Sequence, residues 1–350
     1  MNSAIRRRAR DAAFEVAETA PDVTGLLKGT AAAVRRALPV EGWCGFTLDP
    51  TTLVKTAGVH EAGLSPALFG RLFELEYRHD DVNDFADMAR SGSPAAILAE
   101  ASGWRPESSA RFREVLRPTG YAHELRLVLL DRGRAWGGFV FLRERRSAPF
   151  TTADSRFVAG LSHRLARGVR RALLRSQLGG RQGSDRLPDH PGVLLLDDAY
   201  RIESMTPGVE ALLASLIDDA PSPAPLPAAV FAMAARAREG ETTSLQLPTR
   251  AGRWATMHGW RLSEPAKVAL SIQLSRPEDA ASLVLGGYGL SEREGQIAEL
   301  LLAGYSAGQV ADQLYLSPHT VRDYVKSIFG KTGARNRHEL VSALYFRPYR

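Results

Sequence analysis

The segment from residue 290 to residue 342 constrains the fold more than any other part of the chain, because it holds closely spaced helix starts with their own caps. The starts are marked by Ser291 with Glu294, by Ser306 with Gln309, by Ser317 with Pro318, and by Asn336 with Glu339. Such pairs satisfy backbone amides that a helix start leaves unpaired, and a proline there needs no amide. Gly304 and Gly333 stand where helices should end. The segment therefore predicts four short helices.

The third of these helices has an apolar and a polar face. The apolar face is formed by Val321, Val325, Ile328 and Phe329, and the polar face by His319, Arg322, Asp323 and Lys326. An α-helix fits the major groove of DNA, where Arg322 and Lys326 can donate to guanine and Asp323 can accept from cytosine. A solvated surface helix shows the same stripes. The preceding helix and the short Tyr315-Leu316 turn favour a helix-turn-helix.

This segment resembles the LuxR-type DNA-binding domain, also called the NarL/FixJ output domain. The matching residues are Leu290, Ser291, Arg293, Glu294, Gly304, Ser306, Val310, Ala311, Leu314, Ser317, Thr320, Val321, Arg322, Lys331, Gly333 and Arg337. The resemblance implies a four-helix domain whose third helix lies in the major groove. It also implies that the fourth helix is available for dimer contacts.

The resemblance further implies which side chains meet DNA. They are Ser317, His319, Thr320, Arg322, Asp323, Tyr324, Lys326 and Lys331. Arg322, Asp323 and Lys326 are expected to face the bases, and Lys331 to lie near the DNA backbone. Tyr324 stands where the family usually has histidine, and we expect it to be half-buried with its hydroxyl near the phosphates.

Two stretches rich in glycine, proline and charge, 179–192 and 275–289, divide the chain. The predicted domains are 1–178, 190–276 and 286–346. The predicted fold class is α+β, with two sensory domains followed by an all-α four-helix domain.

The first predicted domain has the order helix, strand, helices, hairpin and long helix. Its hairpin, within 123–145, is expected to have two strands of about seven residues joined by an Arg-Gly turn. Thr152 or Asp154 is the expected cap of the long helix. This order resembles a GAF domain, most specifically in Gly137-Gly138-Phe139 and Pro149-Phe150-Thr151.

The second predicted domain resembles a PAS domain. It reads as two short strands, a helix pair around the proline-rich loop 218–227, and three antiparallel strands. A phosphorylatable receiver starting at 193–198 is excluded, because no strand ending in aspartate follows near residue 240.

Both sensory folds place a cavity between sheet and helices, without dictating its ligand. The candidate pocket residues are Trp43, Phe46, Tyr121, His123 and Phe139, with Phe69, Trp104, Trp254, Met257 and Trp260 as further aromatic or apolar candidates. Most strand aromatics are core residues instead. We expect no metal, cofactor or catalytic residue, since the chain has a single cysteine, Cys44, and no paired-histidine, phosphate-loop or Ser/His/Asp pattern.

The formal net charge of +6 suits a polyanionic partner. The densest basic run lies in a predicted helix, 161–175, and consists of Arg164, Arg167, Arg170, Arg171 and Arg175. This face is either solvated or a second set of contacts to DNA or a partner, which the sequence leaves open. No membrane span or secretory signal is evident, so we expect no membrane association and a cytoplasmic location.

The resulting hypothesis is a sequence-specific, DNA-binding transcriptional regulator that is not an enzyme. It predicts a homodimer on double-stranded DNA with an inverted repeat, controlled by a small-molecule ligand or a partner in the upstream domains. The alternative is a signalling enzyme or interaction protein that uses its last helices to bind protein. The ligand, the operator and the sign of regulation remain open.

Overall fold

The computed structural model describes residues 3–61, 64–178, 187–219, 226–241, 243–263, 267–276, 279 and 284–341. These residues form two sheets with flanking helices, followed by a helical domain, so the predicted α+β class is confirmed. Parts of the predicted linkers, the proline-rich loop and the carboxyl-terminal end fall outside the described residues, namely 179–186, 277–278, 280–283, 220–225 and 342–346.

The amino-terminal unit is a six-stranded sheet with helices on both faces. Its helices are α1 (Ser3–Thr19), α2 (Val23–Arg35), α3 (Phe69–Tyr77), α4 (Phe85–Ser91), α5 (Leu98–Ala101), α6 (Thr152–Ala159) and α7 (Ser162–Leu178). Its own strands are β1 (Gly42–Leu48), β2 (Lys55–Glu61), β3 (Ala95–Ile97), β4 (Tyr121–Asp131) and β5 (Arg134–Glu144), and the sixth, β8 (Asp218–Asp219), comes from later in the chain. The strand order is β3-β4-β5-β1-β2-β8. One face packs on α1, α2 and α7, and the other faces α3 and α4.

The predicted hairpin is present but longer than expected. Arg132 and Gly133 form its turn, both with positive φ, which suits the twist of a two-residue hairpin. Each strand has eleven residues rather than about seven. The apolar residues indicated only the central part of the two paired strands. The end of the pair away from the turn carries Glu124 and Arg126, which are charged but buried, so it did not read as strand.

The long helix predicted after residue 150 is two helices, and neither predicted cap is correct. Thr151 begins α6: its hydroxyl accepts the Asp154 amide, and the Asp154 carboxylate accepts the Thr151 amide. A break at Gly160-Leu161 separates α6 from α7. A threonine three residues before an acid satisfies both amides, which neither predicted cap does.

The basic helix α7 is anchored by its own arginines. Arg171 and Arg175 donate to backbone carbonyls at the end of α1, at Ala17, Glu18 and Ala20. Arg170 is 9 % exposed and is ion-paired with Asp131, and Arg164 lies 3.6 Å from Glu18. Cations stabilise a helix carboxyl end, so most of this run holds α7 against the amino-terminal unit.

The middle unit is a five-stranded antiparallel sheet with two helices. Its strands are β6 (Gly192–Leu196), β7 (Ile202–Met205), β9 (Thr243–Pro248), β10 (Trp254–Arg261) and β11 (Val268–Leu274), and its helices are α8 (Val209–Ser215) and α9 (Ala228–Arg238). The strand order in the sheet is β7-β6-β11-β10-β9, and along the chain the unit has the predicted two strands, two helices and three strands. This antiparallel sheet is unlike the parallel sheet of a receiver.

The two units share one hydrophobic core through α9. The rings of Phe73 in α3 and Phe231 in α9 stack at 5.8 Å. The Arg238 guanidinium lies 2.9 Å from the Glu74 carboxylate, and β8 pairs in parallel with β2. The sequence boundary within 179–192 stays a prediction, but the packing of the units is continuous.

The carboxyl-terminal domain has four helices, as predicted. They are α10 (Glu292–Leu302), α11 (Ala307–Gln313), α12 (Pro318–Thr332) and α13 (Arg337–Val341). The caps at Ser291, Ser306 and Ser317 all accept the predicted amides, and Gly333 ends α12 with φ of 72°. The core contains Ile297, Ala298, Leu301, Val310, Ala311, Val321, Ile328 and Leu340.

Glu294 ties the first helix of this domain to the third. Its carboxylate completes the α10 cap by accepting the Ser291 amide, and it accepts both the Ser327 hydroxyl and the Lys331 ammonium, the latter at 2.6 Å. The side chain of Glu294 is 5 % exposed. These donors hold the pKa of the carboxyl at about 2, although burial by itself raises it.

The helical domain rests on the amino-terminal unit through residues 286–289. Arg132 donates to the Gly289 carbonyl, and Arg170 donates to the Gly287 carbonyl at 3.4 Å. A side chain at Gly286 would meet the Trp136 ring at 2.9 Å, so the close approach requires glycine. Among the described helices, none has the length and apolar character to cross a membrane.

Three carboxylates and two guanidinium groups form a buried network beside the amino-terminal sheet. Arg126 is paired with Glu76 at 2.9 Å and with Glu124 at 3.2 Å. Arg111 is paired with Glu124 at 2.8 Å and lies 3.7 Å from Asp81. The two arginines hold the pKa of Glu124 below its usual range against the effect of burial.

We predict that Arg126→Met destabilises the protein by about 3–5 kcal/mol, because Glu76 and Glu124 would lose their buried counter-charge. The measurement is urea unfolding followed by circular dichroism. Arg90→Met is the matched control, since Arg90 pairs with Asp87 where both side chains are 60 % exposed, and it should cost about 1 kcal/mol or less. Equal losses in the two variants would contradict this account of the network.

We predict that Glu294→Gln destabilises the helical domain at neutral pH and that the deficit disappears in acid. The pKa of Glu294 is lowered from 4.5 to about 2 on folding. Its contribution is therefore complete above pH 4.5 and is lost as the pH falls towards 2. Amide hydrogen exchange in α10 and α12 at several pH values measures this. The exposed neighbour Glu292→Gln should show no such trend, and a pH-independent deficit for Glu294→Gln would count against the ion pair.

Candidate nucleic-acid interface

The third helix of the last domain, α12, buries one side and exposes the other. Val321 and Ile328 are fully buried, and Val325 and Phe329 pack partly against the same core. Tyr324 is half-buried at the edge of this face. The polar stripe is therefore presented to solvent along the length of the helix.

The amino end of α12 is exposed and well capped. The Ser317 hydroxyl accepts the Thr320 amide at 3.0 Å and lies 2.8 Å from the Thr320 hydroxyl, and Pro318 occupies the first turn. Ser317 and His319 are exposed, and Thr320 is half-buried. A helix amino end carries partial positive charge, so this end can accept a phosphate.

The exposed stripe contains both donors and acceptors. His319 and Asp323 form a surface pair at 3.2 Å, with side chains 82 % and 69 % exposed. Arg322 donates from Nε to the Pro318 carbonyl at 3.2 Å, so its guanidinium lies back towards the start of the helix. Lys326 is exposed one turn further along. These groups can read base edges in a groove.

Lys331 lies apart from this stripe and already has a partner within the domain. Both carboxylate oxygens of Glu294 bind its ammonium at 2.6 Å, and its side chain is 32 % exposed. Its expected place near the DNA backbone stays a prediction. Its contact with Glu294 gives it a structural role that the spacing of residues did not reveal.

The turn before α12 contains a feature that the sequence reading missed. Tyr315 has φ of 53° and is 97 % exposed. Left-handed backbone in a residue other than glycine costs about 1–2 kcal/mol. The ring is therefore exposed to solvent in the turn that precedes α12.

Several residues that carry the family resemblance join helices rather than face outward. Arg293 donates to the Leu314 carbonyl at 2.6 Å, which links α10 to the end of α11. Arg337 donates to the Gly304 carbonyl at 3.2 Å, which links α13 to the end of α10. These two arginines thus join α10 to α11 and to α13.

A cavity of about 80 Å³, partly open to solvent, lies between the amino-terminal sheet and α9. Phe46 and Phe69 line it. Trp43 and Phe139 project from the opposite face of the sheet into the core under α1, α2 and α7. Tyr121 packs in a neighbouring cluster.

The other candidate pocket residues lie away from this cavity. His123 is half-buried in β4, near the start of that strand. Met257 is in the core of the middle unit, Trp254 contacts the helical-domain cluster, and Trp104 and Trp260 are exposed. Sequence reasoning did not select Lys55, which lines the cavity, because an isolated lysine in a strand has no distinguishing pattern. Within the described residues there is no group of three or more metal-ligating side chains.

Comparison with known proteins supports the reading of the last domain. Residues 289–344 match the family described as bacterial regulatory proteins, luxR family. No curated protein sequence matches the chain.

Solved structures with partial likeness include the GAF domain of a phosphoenolpyruvate-protein phosphotransferase from Coxiella burnetii, at 17 % identity over 48 % of this chain and 95 % of that one, with a TM-score of 0.32. Escherichia coli SdiA is similar at 12 % identity over 96 % of each chain, with a TM-score of 0.34. The phage VqmA–DPO complex shows 20 % identity over 44 % of this chain and 79 % of that one, with a TM-score of 0.24.

The capped four-helix domain, its exposed polar stripe on α12 and the family match over its whole length agree with one another. Residues 289–344 form a helix-turn-helix domain of the luxR family of bacterial regulatory proteins, and the chain that carries it is a DNA-binding transcriptional regulator.

Proposed function

We propose that the chain binds an inverted repeat in double-stranded DNA as a homodimer, with one α12 in each of two successive major grooves. A single helix reads only a few base pairs, so two half-sites about 34 Å apart multiply the specificity. The observation that carries this proposal is the exposed stripe of Arg322 and Lys326 on a helix whose opposite side is buried.

Within this proposal the side chains of α12 have different roles in DNA binding. Arg322 and Lys326 donate to guanine edges, and Asp323 accepts from cytosine, which sharpens specificity more than it raises affinity. His319 orients Asp323 through their surface pair. Ser317, Thr320 and Tyr324 hold phosphates beside the groove, and Lys331 contributes there while bound to Glu294.

We further propose that the upstream cavity controls this output. The cavity lies between two units that share a core, and the helical domain is held by residues 286–289 against Arg132 and Trp136 of the first unit. A ligand that favours one arrangement of these contacts shifts the population of DNA-competent dimers. The proposed regulator has no catalytic step of its own.

We predict that Arg322→Ala lowers affinity for the selected site by about 1–3 kcal/mol and relaxes base preference at one position. Site selection from random duplexes, followed by gel-shift titration, measures both effects. Arg145→Ala, an exposed arginine of the amino-terminal unit, is the matched control and should change neither. A loss that is the same for every DNA sequence would overturn the base-reading role of Arg322.

We also predict two chains per duplex on the selected site, measured by analytical ultracentrifugation. Scrambling one half-site should weaken binding about 100-fold, because the second contact is then no longer intramolecular. One chain per duplex at full affinity would contradict the dimer while leaving the DNA-binding domain intact.

A further inference from the structure

The cavity beside the amino-terminal sheet is apolar over most of its wall but contains one cation without a direct ion-pair partner. Lys55, on β2, is 8 % exposed, and its side chain lines this space. Within the described part of the chain its ammonium has neither a hydrogen bond nor an ion pair. A buried charge is normally paired, because desolvation otherwise costs several kcal/mol.

Aromatic rings surround the Lys55 ammonium where a carboxylate would be expected. Nζ lies 4.5 Å from the ring centre of Phe46, 5.2 Å from that of Phe73 and 5.4 Å from that of Phe85. The faces of such rings attract a cation but do not neutralise it. Burial accordingly lowers the pKa of Lys55, and Glu76 opposes that effect from a distance.

The other charged groups at the cavity wall already have partners. Glu124 is bound by Arg111 and Arg126, and Arg126 is bound in turn by Glu76. His60 packs edge-on against Phe69 at 5.4 Å, and burial lowers its pKa, which favours the neutral ring. Lys55 is therefore the charged side chain of the described wall that has no direct ion-pair partner, with Glu76 attracting it from a distance.

The rest of the wall is apolar and comes from both upstream units. The middle unit contributes Leu226, Ala228 and Phe231, and the amino-terminal unit contributes Leu72, Val140 and Leu142. The cavity has a volume of about 80 Å³ and is partly open to solvent, and its mostly apolar wall with few polar groups is typical of small-molecule sites. An occupant of this space would touch α9 and the sheet at once.

We propose that this cavity binds an apolar molecule that carries one anionic group, such as a medium-chain or aryl-alkyl carboxylic acid, with its carboxylate on Lys55 and its apolar body between β1, β2 and α9. The assignment rests on the proposed control of DNA binding by this cavity and names the class of ligand.

The test is isothermal titration of the full chain with octanoate, 1-octanol and octylammonium, which share one chain length. Octanoate should bind about tenfold or more tightly than octanol, and octylammonium should bind most weakly, because only the anion can pair directly with the Lys55 ammonium. Similar affinities for octanoate and octanol would overturn the proposal. This comparison needs no variant, so it does not depend on any substitution folding.

Variants then locate the site. Lys55→Met should bind octanoate and octanol alike, and Lys55→Arg should keep the preference for the anion. Gly58→Val should weaken both probes equally, since a side chain at Gly58 enters the cavity and would meet only Ala228 and the Gly45 carbonyl, each at 3.9 Å. The exposed Lys28→Met is the control and should behave as the wild type. Retained anion preference in Lys55→Met would overturn the assignment.

Gel shifts with the selected DNA site, with and without octanoate, separate this inference from the proposed function. Anion selectivity with unchanged DNA affinity would uphold the ligand class and refute control by the cavity. Normal DNA binding with no anion selectivity would refute the ligand class alone.

Discussion

The carboxylate of Glu294 is the contact on which the DNA-binding domain depends. It closes the first turn of α10 and at the same time fixes Ser327 and Lys331 on α12. One side chain thus joins α10 to α12, the helix that we propose reads DNA. Because the group is almost fully buried, replacement of either partner leaves a charge in a poorly solvated place. The exposed stripe of α12 can therefore change its sequence without changing its orientation.

The helical domain could be predicted in detail because the sequence signals that begin and end its helices are local. Caps such as Ser291 with Glu294 and stops such as Gly333 are short-range signals, and the structure has each of them. The turn conformation at Tyr315 was not predicted, since no neighbouring residue indicates a left-handed backbone at a tyrosine. The bond between Lys331 and Glu294 spans 37 residues and two turns, so sequence spacing alone could not find it.

The strand order of the upstream units could be predicted from the sequence, but the position of their cavity could not. Strands β9, β10 and β11 were predicted from their apolar residues, whereas β2 carries Lys55 and His60 and was not predicted. The predicted pocket aromatics Trp43 and Phe139 lie on the face of the sheet opposite the cavity. Alternation of side chains along a strand assigns residues to two faces, but it does not say which face packs against helices and which borders a cavity. The cavity itself forms only where α9 closes over a sheet that begins almost 200 residues earlier, at Gly42.

Because α9 packs against both upstream units, it limits where recombination can divide the chain. This helix is covered on one side by its own sheet and on another by α3 of the preceding unit, while β8 extends the preceding sheet. A gene fusion that cut the chain between the two upstream units would expose Phe73 and Phe231 to water. Both aromatic surfaces stay covered if the two upstream units are inherited together as one module. Such a module would be exchanged as a whole in front of different output domains.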